Sequence, residues 1–520
     1  MTVIMTCFRF FTGIDSLKNL VIKSLLTIEI RKQIIFIFNK ILCPYTNRLN
    51  ILVMSGFFGS ISKNDCVRDV FFGTDYNSHL GTRKGGMAIR NSDGYQRAIH
   101  SLENDYFRSK FEPEMEKFHG RSGIGIISDL EASPIIAHSH LGRFALATVG
   151  RINNLEELQE RAFRMRQQFA ELSQKGVNPT ELVSVLICEG ESFTDGILNV
   201  YDKVKGSCSM ILLTEDGIYA ARDKFGRTPI IIGKKEGAYA IASETISFPN
   251  QEFVTEYYLG PGEIVLVTEE GYTQVKPPND KMQICAFLWV YYGYPASSYE
   301  GINVDNCRYR CGAALAKDDT VEADYVSGVP DSGIGHGIGY ANSRNIPLVR
   351  PFVKYTPTWP RSFMPQNQDV RDMVAKMKLI TNKDLIEGKR IIFCEDSIVR
   401  GTQLKDNTEK LYQEGATEVH LRVACPTLLY PCEYLNFSIS RTRLDLAGLT
   451  AIQELEGRDD VYLDEYSREG SEKHQAMVES IRKRLKLTTL KYQKMDDLVK
   501  AIGLPKEKLC THCWDGSSYD

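Results

Sequence analysis

No uninterrupted stretch of the chain reaches the ~18–20 apolar residues that a membrane-spanning helix requires, so no membrane span is expected. A surplus of charge is also missing: 63 Lys and Arg stand against 66 Asp and Glu, for a net charge of -3. Proteins that bind polyanions by neutralising phosphates carry a basic excess, so general nucleic-acid binding is disfavoured. Gly (40) and Pro (19) are used in ordinary proportion, and no repeat or low-complexity tract occurs. Collagen-like and disordered classes are thereby set aside. The cysteines lack framework spacing, and there are thirteen in 520 residues, unlike short disulfide-stapled secreted domains. A reducing, cytoplasmic setting is the expectation. What remains is a soluble globular chain with 43% hydrophobic residues, enough for roughly two to four domains.

The first 53 residues stand apart. Seven Lys and Arg face only Asp15 and Glu29 there, a local charge of +5. The apolar run Ile34–Phe38 is short and no small-residue cleavage site follows it. Residues 1–53 therefore read as a non-native or leader extension ahead of a start at Met54, or as an added helical segment. From Met54 to about Lys276, short strands alternate with turn signals at Gly56–Ser60, Gly123–Ser128, Phe144–Val149, Ser207–Thr214, Gly217–Ala221, Thr228–Ile232, Tyr239–Ala242 and Glu263–Val267. A helix is expected at about Asn154–Gln174. This pattern predicts an α+β layered domain rich in antiparallel strands, over residues 54–280. From about Val321 the rhythm becomes strand, loop, helix, strand, which predicts βαβ units and a parallel sheet over residues 281–446. Residues 447–520 read as a charged, helical C-terminal segment.

The chemistry concentrates in Arg390-Ile-Ile-Phe-Cys-Glu-Asp-Ser-Ile-Val-Arg-Gly-Thr402, an apolar strand running into two carboxylates and a small-residue loop. Glu395 and Asp396 emerge at the carboxyl end of a parallel strand, where open α/β sheets bind ligands, and adjacent carboxylates can accept two ribose hydroxyls. The loop Ser397–Thr402 offers successive N–H groups and hydroxyls before a helix N-terminus, an arrangement suited to a phosphate dianion. The plainer reading is an acidic turn with Thr402 as the helix cap.

This run resembles the phosphoribosyl pyrophosphate (PRPP) signature of type I phosphoribosyltransferases, with Glu395 where the usual form has Asp. Val329-Pro-Asp-Ser-Gly333 resembles their pyrophosphate loop. The segment Lys354 to Lys378, with Arg361-Ser-Phe363 and Met377-Lys-Leu379, resembles the flexible loop that closes over PRPP, and Gly301-Ile-Asn-Val304 resembles the entry to that domain. Together these are similar to the glutamine PRPP amidotransferase family. The resemblance implies an N-terminal nucleophile hydrolase-like α+β domain of four layers (αββα), followed by an α/β type I phosphoribosyltransferase domain with a parallel sheet. It implies PRPP binding by Asp331, Ser332, Glu395, Asp396, Ser397, Ile398, Val399, Arg400, Gly401 and Thr402, with Lys354 and Arg361 as catalytic residues. It further implies Mg2+ at Ser332, Glu395 and Asp396, a donor set of the hard oxygen type that Mg2+ prefers. The glycine run Gly333–Gly339 misses the dinucleotide spacing, so close helix packing is its expected role.

Most cysteines, such as Cys188, Cys208 and Cys425, sit inside apolar runs as small hydrophobes. Cys510 and Cys513 form a C-x-x-C, which alone is equally a helix-end thiol pair or half of a zinc site. The family resemblance implies a [4Fe–4S] cluster held by Cys285, Cys432, Cys510 and Cys513, since a cluster needs four sulfurs near in space rather than in sequence.

The amide-nitrogen half departs from the family. Ser55 occupies the place of the N-terminal nucleophile, normally a cysteine whose own amino group is the base. The arginine that grips the glutamine carboxylate aligns with Ser128. The Asn of the oxyanion pair aligns with Val149, and the Asp that holds the substrate ammonium aligns with Pro179. Arg222-Asp-Lys-Phe-Gly-Arg-Thr-Pro229, Ala242-Ser-Glu-Thr245 and Gly260-Pro-Gly-Glu263 are kept. The expected protein is a phosphoribosyltransferase of purine synthesis that makes 5-phosphoribosylamine and pyrophosphate from PRPP and ammonia, with glutamine use impaired or lost. Purine nucleotide effectors and a homo-oligomeric state go with that expectation. The alternatives are a regulatory or scaffold paralogue that binds PRPP or nucleotides without turnover, and a Ser55 that attacks another amide.

Overall fold

The computed structural model describes residues 55–519, apart from 104, 130, 174–175, 356–378 and 436–442. The 1–53 extension and Met54 lie outside the described residues. Along the chain the first half contains β1 (Ser55–Ser62), α1 (Val67–Asp75), β2 (Lys84–Asn91), β3 (Gly94–Ser101), α2 (Phe107–Met115), β4 (Ser122–Ser128), β5 (Ile135–Ser139) and β6 (Gly142–Ile152). It continues with α3 (Leu155–Arg164), α4 (Pro179–Ile187), α5 (Phe193–Lys203), β7 (Gly206–Leu213), β8 (Ile218–Ala221), β9 (Ile231–Lys235) and β10 (Ala238–Ala242). β11 (Val254–Tyr258), β12 (Ile264–Val267) and β13 (Tyr272–Lys276) complete it.

These strands form two sheets, ordered β11-β9-β10-β1-β4-β2-β3 and β13-β12-β8-β7-β6-β5. The period-2 side-chain alternation of strands divides the apolar residues between layers. Phe57 and Ile61 of β1 meet Ala145, Ala147 and Val149 of β6 between the sheets. Phe58, one residue on, faces outward against Ile231 and Phe253. α1 and α2 cover the first sheet through Val70, Phe71, Phe107 and Phe111, and α3, α4 and α5 cover the second through Leu158, Leu182 and Ile197. The four layers are therefore αββα.

Several local readings differ from expectation. β2 and β3 were not legible as strands: β2 carries Gly85-Gly86, ordinarily a turn signal, and β3 is polar and half-buried. Gly86 is required where it stands, since a Cβ there would lie 1.9 Å from the Ser133 carbonyl oxygen. The expected helix over 154–174 stops at Arg164, because Arg166 enters the left-handed region (φ 60).

In the second half, β14 (Ile284–Cys285) leads to α6 (Val304–Lys317), β15 (Tyr325–Gly328), α7 (Gly333–Arg344), β16 (Phe352–Lys354), β17 (Leu379–Thr381), β18 (Arg390–Glu395), α8 (Thr402–Gln413) and β19 (Glu418–Val423). α9 (Ala447–Glu456), α10 (Glu472–Arg484), β20 (Thr489–Tyr492), α11 (Met495–Ile502) and β21 (Leu509–Cys510) follow. The parallel sheet runs β15-β18-β19-β20. Its fourth strand comes from the C-terminal residues expected to be helical. Thr489–Tyr492 is only 4 residues long and flanked by charge, too short for a strand pattern to show. Val326, Ile392 and Cys394 face α6 and α7, and Ile391, Phe393 and Leu421 face α8 and α10. The glycine run opens α7, as its packing role requires: a Cβ on Gly339 would lie 2.0 Å from the Tyr309 carbonyl oxygen of α6. Among the described residues no helix is long and apolar enough to cross a membrane.

Two sets of buried charges tie these parts together. Arg222 is fully buried; it donates to the carbonyl oxygens of Thr228 (3.1 Å), Gly226 (2.7 Å) and Leu259, and to Glu300 Oε1 at 2.8 Å. Glu244 accepts from Tyr299 (2.6 Å), Ser297 (2.8 Å) and His79 (3.2 Å). Burial pushes Glu244 upward, but His79, Tyr299 and Ser297 outweigh it and leave the carboxyl below its ordinary range. In the parallel-sheet half, Arg422 pairs with Asp319, which also accepts from Tyr340 at 2.8 Å. These partners overcome burial and hold Asp319 down at about 2. Removing one partner of a buried pair strands the other charge. Arg422→Leu is accordingly expected to destabilise the protein by about 3–5 kcal/mol, with much of that recovered in Arg422→Leu/Asp319→Leu. Thermal unfolding midpoints of both variants check this, and a single variant as stable as the wild type would refute it.

Candidate functional site

β18 is buried except at its ends and delivers Glu395 and Asp396 to the carboxyl edge of the parallel sheet. Asp396 accepts hydrogen bonds from Ser332 Oγ (2.5 Å) and Ser397 Oγ (2.6 Å), so the acid pair stands between the segment Val329–Gly333 and the loop that begins at Ser397. Val329 N–H donates to the Cys394 carbonyl at 2.9 Å and fastens that segment to β18. Burial, together with the adjacent Asp396, pushes the Glu395 carboxyl well above its ordinary range. Two carboxyls held side by side disfavour the doubly ionised state. The pair therefore has a standing affinity for a cation or for hydroxyl donors.

That donor set fits Mg2+. Ser332, Glu395 and Asp396 supply oxygens only, and Mg2+ commonly takes one or two carboxylates while keeping waters and substrate oxygens. Among the described residues no group of three or more His, Cys, Asp and Glu side chains is placed to hold a metal ion, which this mode does not need.

The loop Ser397–Thr402 is shaped by what its side chains do elsewhere. Ile398 is buried in the core, leaving its backbone for any ligand. The Val399 carbonyl accepts from Ala447 N–H at 2.7 Å, and Arg400 Nη2 donates to Asp445 at 2.6 Å. Gly401, at φ 77, is the residue that caps α8, so Thr402 is the first helical residue rather than the cap. Lys354 ends β16 and forms an ion pair with Asp331 of the Val329–Gly333 segment; both side chains are at least half exposed. Arg361 and most of Lys354–Lys378 lie outside the described residues.

The four singled-out cysteines converge at a different seam. β14 and β21 pair in parallel with Cys285 opposite Cys510. Leu429 and Tyr430 N–H both donate to the Cys513 carbonyl, drawing the C-terminal turn against the chain before Cys432. A hydrogen bond with Cys432, then burial, pushes the Cys513 thiol well above its ordinary range, and burial followed by Cys510 and Cys432 does the same to Cys285. Burial pushes Cys510 up to about 11, although His512 N–H and Arg227 oppose it. Leu435 N–H reaches Cys432 Sγ at 3.4 Å. Cys285, Cys432 and Cys513 are buried and Cys510 is partly exposed; the four thiols neighbour one another and N–H donors reach their sulfurs, although in this arrangement they do not form a preset metal site.

At the other end, Ser55 begins β1 directly opposite Ser128 of β4, and its Oγ donates to Ser128 Oγ at 2.9 Å. The cavity beside it, lined by Ser55, Leu80, Val149, Ser243, Glu244 and Tyr299 among others, measures about 20 Å³. That is room for about one water. Pro179 is the first residue of α4, capped by Asn178, whose side chain accepts from Thr180 N–H at 2.9 Å.

Sequence reasoning passed over Glu131. It is buried, its Oε1 accepts from Thr180 Oγ1 at 3.3 Å, and Thr180 meets Thr148 at 2.6 Å. Its Oε2 has no hydrogen-bond partner among the described residues, and burial pushes its carboxyl up to about 7. A lone Glu in a loop carries no periodic signal that would have marked it. A folded-state value above the unfolded one gives stability that is present below about 4.5 and lost as pH rises through about 7. Glu131→Gln is expected to match the wild type near pH 5 and to exceed it at pH 8 by up to about 3 kcal/mol. Thermal midpoints at the two pH values decide this; an unchanged pH slope would sink it.

A glutamine amidotransferase domain model matches residues 119–250. The amidophosphoribosyltransferase of Bacillus subtilis is 31% identical over 394 residues, covering 73% of this chain and 80% of that protein. The amidophosphoribosyltransferase of Methanocaldococcus jannaschii is 28% identical over 496 residues, covering 89% and 97%. Among solved structures, the glutamine PRPP amidotransferase of B. subtilis complexed with ADP and GMP superposes with a TM-score of 0.77 at 26% identity, covering 89% of this chain and 97% of that one.

Proposed function

The chain belongs to the amidophosphoribosyltransferase family, and from that premise we propose that it joins ammonia to C1 of PRPP, releasing pyrophosphate and forming 5-phosphoribosylamine. The observation that carries this reading is the Ser332–Asp396–Ser397 junction, which sets an acid pair between two loops suited to the two phosphate ends of one ligand. Glu395 and Asp396 would accept the ribose hydroxyls, the loop from Ser397 to Thr402 would hold the 5-phosphate, and Asp331, Ser332 and Lys354 would face the pyrophosphate. Arg361 is assigned to the same leaving-group end by resemblance. The nitrogen lone pair forms the bond to C1 as the bond from C1 to the pyrophosphate oxygen breaks, and the new ammonium gives up a proton. Charge on the leaving group and on the oxocarbenium-like centre is what the site must stabilise. Mg2+, held at Ser332, Glu395 and Asp396, would neutralise pyrophosphate charge.

Glutamine is the weaker donor in this reading. Ser55 is less acidic than a thiol, and Ser128 and Pro179 carry no charge. Val149 adds no donor, and the space beside Ser55 holds about one water. Each lost charge-assisted contact costs roughly 1.5–3 kcal/mol, and a lost oxyanion donor ~2.7–4 kcal/mol. Ammonia depends on none of these groups. Purine nucleotides as effectors belong to the same proposal, supported by the ADP and GMP of the B. subtilis structure.

Steady-state kinetics of PRPP-dependent pyrophosphate release, with ammonium and glutamine supplied separately to protein starting at Ser55, test the reading. Ammonium should support turnover, glutamine should be slower by at least about a hundredfold, and Asp396→Asn should abolish the ammonium-driven rate. Equal rates would show a working glutamine pocket, and no turnover with either donor would favour a binding paralogue.

We also propose that Cys285, Cys432, Cys510 and Cys513 hold a [4Fe–4S] cluster. Anaerobically purified protein should contain about four irons and four sulfides per chain, and Cys513→Ser should lose them and lower the thermal midpoint. Protein with no iron or sulfide, or with a single zinc instead, would overturn this.

A further inference from the structure

The loop between β18 and α8 is pinned from outside the strand and helix that flank it. Val399 accepts the Ala447 N–H at 2.7 Å. Gly401 lies against Leu485, where a Cβ would come 3.0 Å from Leu485 Cδ2. Arg400 donates to Asp445 at 2.6 Å, across 45 positions of sequence, with both side chains about a quarter to a third exposed. Asp445 closes the short turn Arg443–Asp445 just before α9, and Leu446 next to it is buried, so its backbone is anchored.

We propose that Asp445 is a positioning residue for the loop Ser397–Thr402: it meets no substrate, but holds the Arg400 guanidinium and so fixes the peptide N–H groups on either side. This rests on the reading of that loop as the 5-phosphate site. An unpaired Arg400 would be free to swing toward any anion in the cleft, and a loop with mobile peptides must be ordered again at each binding event. Holding N–H groups in place before the phosphate arrives removes that cost. The effect belongs to one end of the ligand, because Asp445 holds Arg400 of the Ser397–Thr402 loop.

The experiment uses the full chain with saturating ammonium. Asp445→Ala should raise the KM for PRPP about tenfold with kcat changed much less. Asp445→Ala added to Arg400→Ala should raise it no further, because the two act through one contact. Inhibition by ribose 5-phosphate should weaken in parallel with the KM, while inhibition by pyrophosphate stays as in the wild type. A KM equal to wild type, additive effects, or an equal loss of pyrophosphate affinity would each overturn the proposal. Calorimetric titration of ribose 5-phosphate needs no turnover and separates this test from failure of the transferase reading. If Asp445→Ala binds ribose 5-phosphate as the wild type does, Asp445 has no such role, whatever the enzyme's rate.

Discussion

The sandwich half of this protein takes partners for its buried charges from beyond itself. Arg222 is fully buried, and the carboxylate that answers it, Glu300, arrives from the segment leading into α6. Glu244, equally buried, takes its hydroxyl donors from Ser297 and Tyr299 of that same segment. His79 completes the arrangement: Nδ1 faces the Tyr76 carbonyl at 3.1 Å and Nε2 faces Glu244 at 3.2 Å. The ring thus bridges the end of α1 to the buried Glu244 carboxylate. A buried charge left without its partner costs several kcal/mol. Residues 294–300 thus tie the sandwich to the parallel-sheet unit through these buried charges.

Thr245 joins this grip, its Oγ1 accepting from Ser298 N–H at 2.9 Å, so the Arg222–Pro229 and Ala242–Thr245 runs both face the segment 294–300. Ser55, Ser128, Val149 and Pro179 lie outside this grip. The segment then passes through Asn303, which caps α6, to Arg308, buried and hydrogen-bonded to the carbonyls of Trp289, Tyr291 and Gly293. Burial draws the Arg308 guanidinium below its ordinary range, and Asp396 is the strongest charge opposing that. The chain that leaves the sandwich thus supplies a cation close under the acid pair.

The motif of the proposed PRPP site was legible in the sequence because that motif is local. A buried strand, two carboxylates, a small-residue loop and a helix follow one another without interruption, and the fold only has to keep that order. The αββα layering was readable for strands with apolar alternation and not for β2, where Gly85-Gly86 imitates a turn. Pairings between distant, ordinary residues left no trace. Asp445 is one acid among 66 Asp and Glu, and Glu131 is one loop carboxylate. The role of β20 was hidden because its neighbours, not its own residues, make Thr489–Tyr492 a strand.

The cysteine seam shows how a local signal becomes a tertiary one. Cys510-x-x-Cys513 alone leaves thiol pair and zinc half-site equally open. The strand pairing of Ile284–Cys285 with Leu509–Cys510 brings the third sulfur to it, and the Phe287 ring stacks on Trp514 with centroids 4.7 Å apart. Arg151 of the sandwich donates to the Cys432 carbonyl at 2.7 Å and brings the first half to the same place. Thiols buried together are held protonated, so any group that takes them as thiolates must displace protons from a site already closed by packing. The C-terminal segment is consequently a clasp, crossing from the parallel sheet through β20 to the seam at β21.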